Sequence, residues 1–524
     1  MHILKKIQVG IFLIFSTQLF FSLQSSQNKS DVQSQYLLCF LYEGNAESAI
    51  SNFESCLISL DSKKFNKNSD ISKTYSSILI DGGLAVFDIV LDNEDSNKIQ
   101  TKNNVLSIEK VAINIPSNSK PESFSSFNDI PSTPAKNLKD DTPISSSKDF
   151  DRTKNHITIS EVSNETFASS APSDYLNEHY TSSYTSEKSN EINSAPTSID
   201  DSNMENHTIS PRSLNSRMLS FNDDSLKWIK QEYSPWHLAR ISSSKGPEPL
   251  TGSYNQTYYY PPKNKEVIIY VVDSGIDPNH SEFLGNVRLG ANFVNGEDHK
   301  DYSGHGTAVA GVISGARNGV AKNFSLVSVK VLDSNNIGST LTITKGLNWI
   351  LEDKEKNYPD TPAIINFSVN LRGSFPSINF AFKSINKKNI LIVSSSGDNK
   401  SDACNYFPGS SEVVLSVSSI QPANDSFDSD LSNYGRCVDI LAPGSKVISA
   451  VSGTKDQVLP FSGTSFSAAI VTGIASQVLS NNPEISVNDL KTVLIKSALS
   501  NVIKNIPEST KNLLASNGYD GNKH

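Results

Sequence analysis

Three side chains in this sequence are of the types that together can activate a hydroxyl group. Asp273 closes the apolar run EVIIYVVD and opens VVDSGID. His305 stands between two glycines in DYSGHGTAVAGVISG, and Ser465 lies in SGTSFSAAIVTGIASQVL. A serine hydroxyl is a weak nucleophile until a base takes its proton. A neutral imidazole serves as that base when its other nitrogen is held by a carboxylate. Such a set would attack a carbonyl carbon and pass through an acyl intermediate, with no cofactor required. Each motif alone is weak, since an Asp after a strand is ordinarily a cap and a lone His ordinarily a structural residue. Their occurrence together, in the order Asp, His, Ser, is specific. Gly304 and Gly306 remove bulk beside the imidazole, and Gly463 allows a sharp turn before Ser465. At a helix N-terminus, Ser465 would lie near free backbone N–H groups able to stabilise a negative oxygen.

The elements that must position these residues can be read from hydrophobic patterning. From Asn215 to the end (215–524), runs rich in Val and Ile, such as EVIIYVVD, FSLVSVKVLD, PAIINFSV and NILIVSSSG, alternate with helical stretches. Continuous apolar strands separated by helices predict a mostly parallel sheet covered on both faces, an α/β three-layer sandwich. Asp273 would then sit at the sheet's carboxyl edge, where such folds bind ligands. Residues 32–115 read as a small α+β domain: YLLCFLYEG is a strand and NAESAISNFESCLISL a helix. SSILIDGGLAVFDIVL is either two strands or a strand and a helix start. Between them, residues 116–214 are dominated by Ser, Asn, Thr, Asp and Pro, a composition that predicts a disordered linker. Lys5 and Lys6 followed by the apolar stretch Ile7 to Leu23 predict a cleaved signal peptide over 1–25, and hence secretion or delivery to a vacuole or other secretory lumen. A net charge of −9 excludes non-specific nucleic-acid binding, which needs a basic face. No later segment is long and apolar enough to span a bilayer. The 4 cysteines, Cys39, Cys56, Cys404 and Cys437, permit disulfides in such a compartment without fixing their pairing. Asn164, Asn206 and Asn255 lie in glycosylation sequons.

The joint motifs resemble those of the subtilases, the subtilisin-like serine proteases, and in particular the proteinase K branch. SPWHLARIS resembles that branch's mature N-terminus, while GVAKNFSLVSVKVLD, NYGRCVDILAPG and NLLASNG resemble its internal and C-terminal signatures. The resemblance implies a zymogen of a serine endopeptidase with Asp273, His305 and Ser465 as its triad. It implies that 32–115 is an inhibitory propeptide acting as an intramolecular partner, and that the mature enzyme is a monomer acting on proteins or peptides. It pairs Cys404 with Cys437. It places substrate-binding positions at Ser368, Val369 and Asn370, at the facing edge near Gly338, and at Ser395, Ser396 and Gly397. Asp439 stands where that branch has a calcium ligand, so structural calcium is one expectation; an Asp bonded to nearby backbone is the other.

Three positions depart from the pattern. The family's oxyanion-stabilising Asn is Asp398 here, in VSSSGDNK. An ionised carboxylate cannot donate a hydrogen bond and repels a developing negative charge. Losing one oxyanion donor costs about 3 kcal/mol. Three readings follow: a protonated Asp398 that donates, Asn399 in its place, or a catalytically weak or silent binding protein on a subtilase scaffold. The other departures are Ala469 for the usual Pro, and Asn370 for the usual Gly of the substrate strand, which narrows or polarises the cleft.

Overall fold

The computed structural model describes residues 34–41, 75–80, 84–91, 105–110, 227–244, 256–422 and 424–521, together with Phe53 and Ile99. The signal-peptide stretch, the linker, Cys56 and the Cys39 side chain lie outside the described residues.

The larger part is built on a nine-stranded sheet. Its strands run, in spatial order, Leu499–Ser500, Leu513–Leu514, Ile440–Pro443, Val414–Ile420, Leu391–Ser395, Ala363–Phe367, Ile268–Asp273, Ser325–Lys330 and Val287–Asn292. All neighbours are parallel except the first pair. Successive residues of a strand face opposite sides, so a strand covered on both sides must be apolar throughout. Every residue of Ile268–Asp273 is buried. Ile269 and Val271 join one core with Val309 and Val312 of the helix His305–Ser314 and with Ile470 and Ile474 of the helix Thr464–Asn481. Ile268, Tyr270 and Val272 join the other core, with Ile343 and Leu347 of the helix Thr340–Asn357 and Phe382 and Ile385 of the helix Pro376–Lys387. This is the expected three-layer sandwich. The Thr464–Asn481 helix has no polar face because the core surrounds it, and it is buried from Thr464 to Ser480.

The small N-terminal element is a four-stranded antiparallel sheet in the order Tyr75–Ile80, Leu84–Leu91, Ser34–Leu41, Val105–Lys110. The segment with two readings is thus a hairpin of two strands, Ile80 pairing with Leu84. Phe53 is helical, as its segment predicted, and stacks on Phe87 with ring centroids 3.8 Å apart. Leu37 and Val86 of this sheet are part of the same core as Ile343 and Phe382, so the sheet lies against the two helices on that face. At the start of the larger part, the buried helix Trp236–Ile241 is fixed by a two-point ion pair, Arg240 Nε and Nη2 donating to Asp425 at 2.7 and 2.9 Å.

Candidate active site

The last residue of the strand Ile268–Asp273 presents its carboxylate to the first residue of the helix His305–Ser314. His305 Nδ1 donates to Asp273 Oδ1 at 2.7 Å, and the backbone N–H of Ser274 donates to the same oxygen at 2.7 Å. This approach depends on two glycines. Gly304 precedes the helix at φ 83°, a left-handed conformation that other residues adopt only with strain. A methyl group on Gly306 would collide with the Gly275 carbonyl and reach 3.1 Å from Asp273 Cβ. His305 Nε2 is buried without a hydrogen-bond partner, which leaves it available to accept a proton.

Ser465 is the second residue of the helix Thr464–Asn481 and only 5% exposed. Its neighbour Phe466 sets its ring edge against His305, centroids 6.0 Å apart, which brings the start of this helix beside the imidazole. The other group at this helix start is Asp398. Its Oδ1 accepts from Thr464 N at 2.9 Å and from Thr464 Oγ1 at 2.6 Å. The carboxyl therefore caps the helix that carries Ser465, as unsatisfied N-terminal donors and the positive end of the helix dipole favour. Asn399 is exposed, and its backbone N–H donates to Asn433 Oδ1 at 3.0 Å.

Charges around the imidazole govern its proton. Burial pulls His305 down, but the charge and hydrogen bond of Asp273, with Asp301 and Asp398 beyond it, overcome this and leave it above the ordinary histidine value. Burial pushes the Asp398 carboxyl up, opposed by the Thr464 donors and by His305.

A support that the sequence reading missed lies beneath the His–Asp pair. Asp301 is buried and accepts four hydrogen bonds, from Ser274 Oγ, Gly304 N, Thr307 N and Thr307 Oγ1. Lys330, fully buried, donates to the carbonyls of Ser274 and Leu332 at 2.5 and 3.0 Å. The available signal was Asp301 placed just ahead of the predicted helix start, where a carboxylate caps free N–H groups.

The remaining predicted positions separate into groups. Asn370 and Gly397 lie against one another, a methyl on Gly397 meeting Asn370 Nδ2 at 2.6 Å. The Val369 side chain is buried in the core on the Phe382 side. Ser368 Oγ accepts from Asn366 Nδ2 at 2.8 Å, and Ser396 Oγ pairs with Ser418 Oγ at 2.8 Å. Ser395 is buried beside them at the end of its strand. Gly338 lies in the turn before the helix Thr340–Asn357, packed on Leu332 and Val331. Cys404 and Cys437 form a disulfide, Cα atoms 5.2 Å apart.

The residues at Asp439 do not fit a calcium ion. Oδ1 accepts from Lys511 Nζ at 2.9 Å and Oδ2 from Ser416 N at 3.1 Å. Lys491 Nζ donates to the nearby carbonyls of Val413 and Val414 at 2.9 and 3.1 Å. Burial pulls the Lys491 ammonium down and the Asp439 charge holds it up. A divalent cation needs six to eight oxygen ligands. Here these oxygens already serve two ammonium groups and a backbone N–H, and no cluster of three or more His, Cys, Asp or Glu exists among the described residues.

The subtilase family profile matches residues 264–521. A subtilase-type proteinase of Schizosaccharomyces pombe is 33% identical over 295 residues, covering 56% of this chain and 64% of the relative. A subtilisin-like serine protease of Rhodotorula mucilaginosa is 34% identical over 306 residues, covering 55% of this chain and 87% of the relative. Among solved structures, a cold-adapted subtilisin-like serine proteinase is 31% identical, with 55% of this chain and 99% of that one covered at a TM-score of 0.49. The chain belongs to the subtilase family of serine endopeptidases.

Proposed function

We propose that this chain is the zymogen of a secreted endopeptidase. Ser465 Oγ attacks the scissile carbonyl while His305 Nε2 takes its proton. His305 then gives the proton to the leaving amine, and water hydrolyses the acyl-enzyme with the same imidazole as base. Asp273 holds the imidazole tautomer. The observation that carries the reading is the 2.7 Å contact of His305 Nδ1 with Asp273, which leaves Nε2 without a partner beside the start of the Ser465 helix. No cofactor takes part, and no structural calcium is needed at Asp439. The folded sheet of residues 34–110, packed on the helices Thr340–Asn357 and Pro376–Lys387, supports the propeptide role of 32–115. Secretion rests on the N-terminal apolar stretch; among the described residues no helix is long and apolar enough to cross a membrane.

Asp398 favours a second reading, a silent scaffold, because its carboxyl accepts hydrogen bonds at the place where an oxyanion needs donors. Expression in a secretory host separates the two. The natural chain is expected to yield a fragment beginning between residues 116 and 235, while Ser465→Ala stays full length by gel and N-terminal sequencing. Equal processing of both chains, or of neither at acidic and neutral pH, would favour the scaffold.

A further inference from the structure

The strands Ala363–Phe367 and Leu391–Ser395 are parallel neighbours, so the segments that follow them leave the sheet side by side at its carboxyl edge. A crevice between such segments is the place where open α/β sheets bind ligands. One wall is 368–371 and the other 396–398. In the first wall Val369 and Leu371 are buried in the core. Alternation along an extended chain turns Asn370 the other way, toward the second wall. There it reaches Gly397, the residue before Asp398. A methyl on Gly397 would stand 2.6 Å from Asn370 Nδ2 and 2.8 Å from its Cγ, and 2.5 Å from Asn433 Nδ2. Asn433 Nδ2 is itself held by the Ser396 carbonyl at 2.9 Å. Asn370 Nδ2 is buried and has no acceptor. Native structures rarely keep a buried donor unpaired, so this one calls for an explanation.

We infer that the Asn370 carboxamide sets the specificity of this site by filling the slot between the two walls, so that the substrate residue donating the scissile carbonyl must be small. Alanine and serine fit above the carboxamide; leucine and phenylalanine meet it. A serine there also offers an oxygen to the unpaired Nδ2 hydrogen. The inference rests on the endopeptidase reading and adds the class of bond cut.

The test uses the processed enzyme and peptide anilides differing only at the residue before the scissile bond: Gly, Ala, Ser, Leu and Phe. The natural chain is expected to favour Ala and Ser over Leu and Phe in kcat/KM. Asn370→Gly should raise the Phe-to-Ala ratio by at least about tenfold, the scale on which pocket volume discriminates side chains. Asn370→Ser, which keeps a side chain on the strand, should move the ratio part of the way. Turnover with Phe already preferred, or a ratio unchanged in both variants, overturns this inference and leaves the peptidase reading standing. Absence of turnover on every anilide, with no fluorophosphonate labelling of Ser465, overturns both.

Discussion

The two halves of the candidate active site differ in how their polar groups are supported. In the Asp273–His305 half Asp273 Oδ2 and His305 Nε2 are buried without a partner, but the groups that hold the pair in place are themselves paired. Asp273 Oδ1 has two donors, Asp301 below it accepts four hydrogen bonds, and the Lys330 ammonium is shared by two carbonyls and the Glu297 carboxylate, the latter at 3.1 Å. The half formed by Ser465, Asp398 and Asn370 is open. An acceptor stands where the family has a donor, and a buried amide hydrogen has no acceptor. Buried networks are rigid when complete, and incomplete ones cost stability unless a ligand completes them. On the endopeptidase reading, the proton-transfer pair is thus preset in the fold, whereas charge stabilisation and substrate selection wait on the substrate and on the protonation of Asp398.

The most severe test of this contrast is Asp398→Asn. If the carboxyl limits oxyanion stabilisation, the substitution restores a neutral donor and kcat should rise about 100- to 1000-fold at neutral pH. It also removes a negative charge that holds His305 up, so the acid limb of kcat/KM should move to lower pH. A fall in kcat would mean instead that protonated Asp398 is the working donor. The natural enzyme would then lose activity as pH rises through the raised Asp398 pKa.

On the Asp273–His305 side, Asp301→Asn should have a smaller effect. The amide keeps the shape with one acceptor oxygen in place of two, and the second charge holding up His305 is gone. A base must be neutral to act, so lowering the His305 pKa again shifts the acid limb of kcat/KM toward lower pH, with kcat on the plateau changed less than by Asp398→Asn. A pH profile that overlays the natural one would show that Asp301 serves only as a helix cap.

The same contrast explains what could be read in advance. The Asp273 and His305 motifs were legible because their groups are local to one strand end and one helix start, and short patterns encode both. The strands were legible because burial on two faces forces unbroken Val and Ile runs. The Asn370–Gly397 contact was not, although Asn370 stood out as a departure, because it joins segments that only the sheet order brings together. The Cys404–Cys437 pairing came from family resemblance alone, since spacing permits other pairings. The support from Asp301 and Lys330 escaped because a buried charge reads in sequence like an exposed one.

A region away from the active site shows whether saturation by the chain's own groups extends to cation binding, and here the expected effect is smallest. Lys491 Nζ is shared by the carbonyls of Val413 and Val414, and Lys511 Nζ rests on Asp439. Two fixed ammonium groups beside one carboxylate repel a divalent ion as well as occupying its ligands. In the Ser465→Ala background, which prevents self-digestion, thermal unfolding should therefore be the same in millimolar calcium and in chelator. Lys491→Met keeps the stem but strips two carbonyls of their donor, which should cost about 1–3 kcal/mol. Calcium should then recover part of the loss, because a ligand that binds only the native state raises its stability by mass action. A calcium-dependent rise in the unsubstituted chain, matched in Lys491→Met, would show that the ion binds elsewhere and that the lysines do not take its place.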